Sequence, residues 1–322
     1  TLGIMTLKNR TPPTAEEYAA YRTQYTNWGK WGPDDARGTL NYLTPECVRE
    51  AAKLVRAGRS VSMAIPISKS AGPDNPRPPA HYMATNFDIH FASGQPQFAT
   101  DYFGSEIHGD CHTHFDALCH VGYKGKLFNG QPASVVTTHG PTALDITAFA
   151  HGIVGRGVLL DLPRLHGVKW LEPGHAVTAE EIVAAEAAQG VKLRSGDILV
   201  FRTGHHARRL ALGPWNPGPA DEGGQGRAGL HVATLMLLHE REVAVFLPDG
   251  DGETIPSHVE GVCYPIHAIQ IPAMGMVCAD SLQFEELVPV CEELKRWEFM
   301  VTFSPLRLPR GTGSLFNPIA IF

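Results

Sequence analysis

From His108 to His120 the chain reads His-Gly-Asp-Cys-His-Thr-His-Phe-Asp-Ala-Leu-Cys-His, and every imidazole and carboxylate in it stands at an even position. Side chains of an extended strand alternate faces, so this spacing predicts a strand with His108, Asp110, His112, His114 and Asp116 on one side. Six groups able to hold a hard or borderline cation within thirteen residues make this segment the expected active site. Donor atoms on one ion lie only ~3 to 3.5 Å apart. Same-face neighbours on a strand start ~6.6 Å apart, a gap that His114 and Asp116 close by leaning together. His108 or Asp110 can join them only if the backbone bends, and Gly109 is placed to permit a turn or bulge. His112 is either a ligand or faces a substrate. His120 follows Asp116 by four residues, so a helical turn there sets it beside the ion, where a proton carrier is wanted. Cys111 and Cys119 fall at odd positions and read as buried structural thiols rather than nucleophiles. Isolated histidines such as His151 and His175 read as structural.

Around this run, strand and helix signals alternate. Thr44 and Pro45 open a helix expected to reach Ala57, and Ser60 to Ile67 reads as a strand. Residues 71–80, with four prolines, form a loop. Gly155 to Asp161 reads as a buried strand. Thr178 and Glu181 are spaced as a capping box for a helix that Gly190 stops. Ile198 to Arg202 and Val243 to Leu247 are further short apolar strands, separated by a Gly/Pro-dense loop at 213–229 and a helix over Leu230 to Arg241. His267 to Met276 is strongly apolar, Phe284 to Trp297 reads as a helix, and Gly311 to Ser314 as a final turn. Asp280 has a second reading as the N-cap of a helix from Ser281 to Leu287.

Composition narrows the functional classes. With 322 residues and 43% hydrophobic content the chain can bury a large core. The 27 basic against 33 acidic residues, with no basic cluster interleaved with aromatics, exclude a nucleic-acid partner. No apolar run approaches the ~18 residues of a membrane span. The N-terminus lacks a basic-then-apolar leader, so a cytoplasmic location is expected, with the six scattered cysteines reduced.

His114-x-Asp116-Ala117-Leu118-x-His120-Val121, followed by Tyr123-x-Gly125-Lys126-x-Phe128-Asn129-Gly130, resembles the putative cyclase family. That family contains kynurenine formamidase, isatin hydrolase and similar metal-dependent amidohydrolases. Against its signature His-x-Gly-Thr-His-x-Asp-x-Pro-x-His, Thr113, His114, Asp116 and His120 match. Asp110 stands at the first His, His112 at the Gly and Leu118 at the Pro. The pattern of long members, His-Gly-x-x-x-Thr-His-x-Asp-Ala, fits His108 to Ala117 directly. Further matches at Trp28-Gly-x-Trp31-Gly, Gly38-Thr39-Leu40-Asn41, Arg202-Thr203-Gly204 and Gly311-Thr-Gly-Ser extend the resemblance over nearly the whole chain. His267 corresponds to the family's second His, and Asp280 stands where the family has Glu, keeping the carboxylate but shortening its reach by one methylene.

The resemblance implies an α/β fold of the swivelling β/β/α type, with a central mixed or barrel-like β-sheet flanked by helices. Residues 1–60 are then an N-terminal loop and helix segment packed on the body, and 61–322 the metal hydrolase domain, one domain overall. It implies a divalent metal, Zn or Mn, held by His114 and Asp116 with His108 or Asp110, and by His267 and Asp280. His120 is then the proton carrier, and Trp28 and Trp31 line the pocket of a small-molecule substrate, aromatic ones included. A homodimer or homotetramer is implied, with no membrane partner. The activity implied is hydrolysis of a cyclic amide, formamide or lactone. The alternatives are a cyclase or dehydratase running the reverse chemistry, and a non-catalytic metal- or ligand-binding homologue, which the residues at 110 and 280 keep open.

Overall fold

Ile153–Asp161, Ile198–Arg202 and Val245–Pro248 are buried at nearly every position in the computed structural model, which describes residues 14–88 and 93–322. Continuous apolar runs of this kind suit strands covered on both faces. They lie at the centre of a nine-stranded sheet whose strands, in chain order, are β1 (Ser60–Ser62), β2 (His114–Asp116), β3 (Ile153–Asp161), β4 (Ile198–Arg202), β5 (Val245–Pro248), β6 (Val277–Asp280), β7 (Glu298–Phe303), β8 (Gly313–Leu315) and β9 (Ile319–Ile321). The spatial order is β1-β9-β7-β3-β4-β5-β6-β2-β8. Neighbours from β3 to β6 run parallel, whereas both flanks are antiparallel, giving a mixed sheet that curls into a half-barrel flanked by helices. The expected α/β architecture is thus the observed one.

Local signals account for the element ends. The helix Ala179–Gln189 carries the complete Thr178/Glu181 capping box and ends on a left-handed Gly190. The helix from Pro45 stops at Ala52 rather than Ala57. β1 stops at Ser62, because the next residue in register on β9 is Pro318, which accepts from the Met63 amide but has no N–H to return; beyond it an isolated bridge joins Ala64 to Leu282. The helices expected over 230–241 and 284–297 shorten to Thr234–Glu240 and Leu287–Leu294. His267 begins a one-turn helix, His267–Gln270, and β6 follows at Val277. Asp280 ends that strand and does not cap a helix. The expected turn at 311–314 becomes β8, which pairs with β2. After the loop expected over 71–80, two strands, Ala80–Thr85 and Thr100–Gly104, pair antiparallel ahead of the His/Asp run.

The described part of the N-terminal segment is tied to the stretch around the His267–Gln270 turn and to the starts of β5 and β6. Tyr18 and Tyr25 of the first helical segment are buried, and Tyr18 Oη donates to Pro265 O at 2.9 Å. Asn27 Nδ2 donates to Met274 O at 2.8 Å, and Thr39 Oγ1 bridges Ala244 O and the Val277 amide. Residues 1–13 of that segment lie outside the described residues. The six cysteines are unbridged. No helix among the described residues is long and apolar enough to cross a membrane.

Candidate metal centre

β2 is only three residues long, which corrects the five-residue row expected from the even spacing. The strand is wedged between β6 and β8, and the chain enters it through a turn in which His112 N donates to Gly109 O at 3.2 Å. The period-two rule therefore holds for His114 and Asp116 alone, with Phe115 directed into the core against Phe149, Phe303 and Phe316. The turn folds His108 back until its Nδ1 lies 3.0 Å from Asp116 Oδ1. Gly109 lies in this turn, as expected, without a left-handed backbone. The glycine that matters is Gly313 on β8, where a Cβ would come within 2.7 Å of both the His108 ring and Phe115 O. Its neighbour Thr312 meets His108 Nε2 through Oγ1 at 3.0 Å.

Across the sheet, Asp280 at the end of β6 is paired in register with His114. His114 Nε2 lies 3.6 Å from Asp116 Oδ1 and 3.5 Å from Asp280 Oδ2, and His267 Nε2 is also 3.5 Å from Asp280 Oδ2. Each imidazole is fixed from behind: His114 Nδ1 donates to His112 O at 2.7 Å, and His267 Nδ1 donates to Glu253 Oε1 at 3.0 Å. These bonds turn both Nε2 atoms toward the two carboxylates, the arrangement a metal-binding imidazole adopts. On the other side of Asp116, the rings of His108 and His120 stack at 3.5 Å with an interplanar angle of 1°. His108, Asp116 and His120 form one group of donors close enough to share an ion, and His114, Asp116 and Asp280 form another.

The charges in this cluster are tightly constrained. Burial opposes a proton on His114, but the Asp280 and Asp116 carboxylates outweigh it and raise the imidazole to about 9. His267 is raised well above its ordinary value, burial again being overcome by Asp280 and Glu253. Burial pushes the two aspartates up, yet the surrounding imidazoles hold both below the usual carboxylate range. His120 goes the other way: burial pushes it down to about 4 despite Asp116. Cys278 keeps its proton, through burial and the two nearby carboxylates, and its Sγ donates weakly to Asp116 Oδ2 at 3.9 Å.

The donor set fits a divalent cation. Asp116 Oδ1 and Asp280 Oδ1 are buried and accept no hydrogen bond, and the His108 approach to Asp116 lacks hydrogen-bond angles, leaving His108 Nδ1 without a partner too. Buried polar atoms of this kind are costly unless something satisfies them. Donor separations of 3.5 to 3.6 Å are close to those around an ion bound at ~2.0 to 2.2 Å.

Asp110 is placed differently. Its half-exposed carboxylate accepts from Arg227 Nη1 at 3.1 Å, and Arg227 also pairs with Asp251 at 2.9 Å. His112 faces away from the cluster, buried, with neither ring nitrogen hydrogen-bonded, beside a separate cavity of about 110 Å³. A cavity of about 670 Å³ at the cluster is lined by His108, His114, His120, His267, Asp280 and Asp110, with Arg227, Tyr123 and Tyr264 on its walls. The Trp28 and Trp31 rings are elsewhere: Trp28 Nε1 donates to Pro272 O at 2.6 Å, and Trp31 packs edge-on against Tyr42. Glu253, Cys278, Arg227 and Thr312 escaped the sequence reading because each acts across the fold, 14 to 204 residues from its partner in the site, with no local spacing to mark it.

A family model described as putative cyclase matches residues 61–251. Among solved structures, one described as a novel cyclase is 33% identical, with a TM-score of 0.82 over 94% of this chain and 99% of the other. Isatin hydrolase A from Ralstonia solanacearum is 19% identical, with a TM-score of 0.57 over 86% and 97% of the two chains. An isatin hydrolase bound to the product analogue thioisatinate is 18% identical, with a TM-score of 0.54 over 84% and 95%. No curated protein matches by sequence.

Proposed function

Because the chain belongs to the putative cyclase family, we propose that it is a metal-dependent hydrolase that opens a cyclic amide, formamide or lactone with an activated water. The observation that carries this reading is the convergence of His114, His267 and Asp280 on a 670 Å³ cavity, with Asp116 buried behind them 3.6 Å from His114 and one oxygen of each aspartate left without a hydrogen bond. The fold shared with isatin hydrolases supports it. A bound divalent ion, Zn or Mn, supplies the acidity that makes water nucleophilic near neutral pH and polarises a carbonyl oxygen.

The protein's own groups do the rest. His120, kept neutral by burial, is ready to accept a proton from water and return it to the departing nitrogen or oxygen. Its stacking on His108, itself held by Thr312, fixes the ring plane during that transfer. Arg227, immobilised between Asp110 and Asp251, offers a cation on the cavity wall to orient a polar substrate, and Tyr123 and Tyr264 suit an aromatic one. The same reading carries a homodimer or homotetramer located in the cytoplasm.

Chelated protein, then protein resupplied with Zn²⁺ or Mn²⁺, is to be assayed on a formylanilide, an isatin-like cyclic amide and a lactone. Turnover that appears only with metal and vanishes in His120→Ala is expected. Tight metal binding without turnover across these substrates would instead favour a binding protein.

A further inference from the structure

We propose that His166, His175 and Glu181 form a second divalent-cation site, separate from the cavity and selective for a borderline ion such as Zn²⁺. The three residues lie on different local elements. His166 ends the short helix Leu162–His166 after β3, His175 precedes the strand Ala176–Val177, and Glu181 sits in the first turn of Ala179–Gln189. Nevertheless His166 Nε2 and His175 Nε2 both point at one oxygen, Glu181 Oε1, from 2.7 and 2.8 Å. All three donor atoms lie within 4.8 Å of one another. The rings meet edge to face at 5.3 Å, so the two nitrogens converge without the rings colliding.

Glu181 is prepared for this role by its capping box. Its Oε2 accepts the Thr178 amide at 2.7 Å, which locks the carboxylate and leaves Oε1 facing the imidazoles. Two histidines and one carboxylate are a ligand set that zinc accepts, with a fourth position left for water. The side chains are partly exposed, at 35%, 34% and 19%, so an ion can enter from solvent without opening the fold. His175 reads as structural when taken alone in the sequence; the fold supplies its partners.

The site also braces the wall of the candidate active site. Gly174 N donates to Arg227 O at 3.0 Å, and Gly229 N donates to His175 O at 3.1 Å. An ion holding His175 to His166 and Glu181 therefore stiffens the backbone that carries Arg227.

Zinc stoichiometry by equilibrium dialysis of the whole chain tests this without reference to activity. Wild type is expected to bind one equivalent more than His166→Ala/His175→Ala, whose remaining equivalents are unchanged. Should that double variant fold poorly, His166→Gln on its exposed helix end serves in its place, with the dissociation constant of the extra equivalent raised at least about tenfold, the minimum cost of disturbing a ligand's support. Equal stoichiometry and equal affinity in wild type and variant would overturn the proposal.

Discussion

Glu253 governs how His267 meets the metal centre. It is fully buried and accepts hydrogen bonds from the backbone amides of Ile266 and His267 and from Nδ1 of the same histidine. Glu253→Gln keeps the shape but replaces one acceptor with a donor, so His267 loses its orientation. Metal affinity is expected to fall ~10- to 100-fold, measured by competition with a chelator, and unchanged affinity would show that the bond does not position the ring. His120→Ala is expected to lower kcat by ~10²- to 10⁴-fold with metal content intact, as for a lost proton carrier. If metal content falls in parallel, His120 belongs with His108 and Asp116 as a ligand. His114, Asp116, His120, His267 and Asp280 were legible from spacing and family resemblance because their chemistry is local or their positions fixed. His108 over Asp110 was not, because the choice depends on a turn and on Gly313, about 200 residues away in sequence.

Gly313 shows how an element is tuned to the site. β8 can lie beside β2 and still leave room for His108 only because position 313 has no side chain. Gly313→Ala is expected to displace the His108 ring, break its contact with Thr312 and reduce turnover, while overpacking costs about 1 to 3 kcal/mol of stability in a denaturant titration. Full activity in a stable Gly313→Ala protein would refute this coupling. Elements with strong local punctuation, such as Ala179–Gln189 between its capping box and Gly190, could be read in advance. His267–Gln270 could not, since a short apolar run has no period to tell a buried turn of helix from a strand.

For the whole molecule, acid sensitivity away from the metal centre is predicted at His258. Its Nε2 accepts the Val232 amide at 2.9 Å, so the ring must be neutral, and burial together with nearby His231 pushes it down to about 4. A histidine whose folded value is depressed contributes fully above its ordinary value of ~6.5. That contribution is lost as pH falls from there toward 4, because the unfolded chain binds the proton first. His258→Gln is expected to flatten the pH dependence of the unfolding midpoint across this window, by a few kcal/mol at most; an identical slope would remove His258 from the account. The alternation of strands and helices was legible from local signals and the mixed sheet from the family resemblance, but the order β6-β2-β8, which brings Asp280 beside His114, is a long-range result that no local pattern contains. That order assembles the metal centre, and anomalous diffraction from crystals soaked in Zn²⁺ or Mn²⁺ would show whether an ion sits there. An ion is expected within ~2.0 to 2.2 Å of donor atoms from His114, Asp116 and Asp280, with His267 beside it. A cluster without an anomalous peak, or an ion bound by Asp110 and not by Asp116, would contradict it.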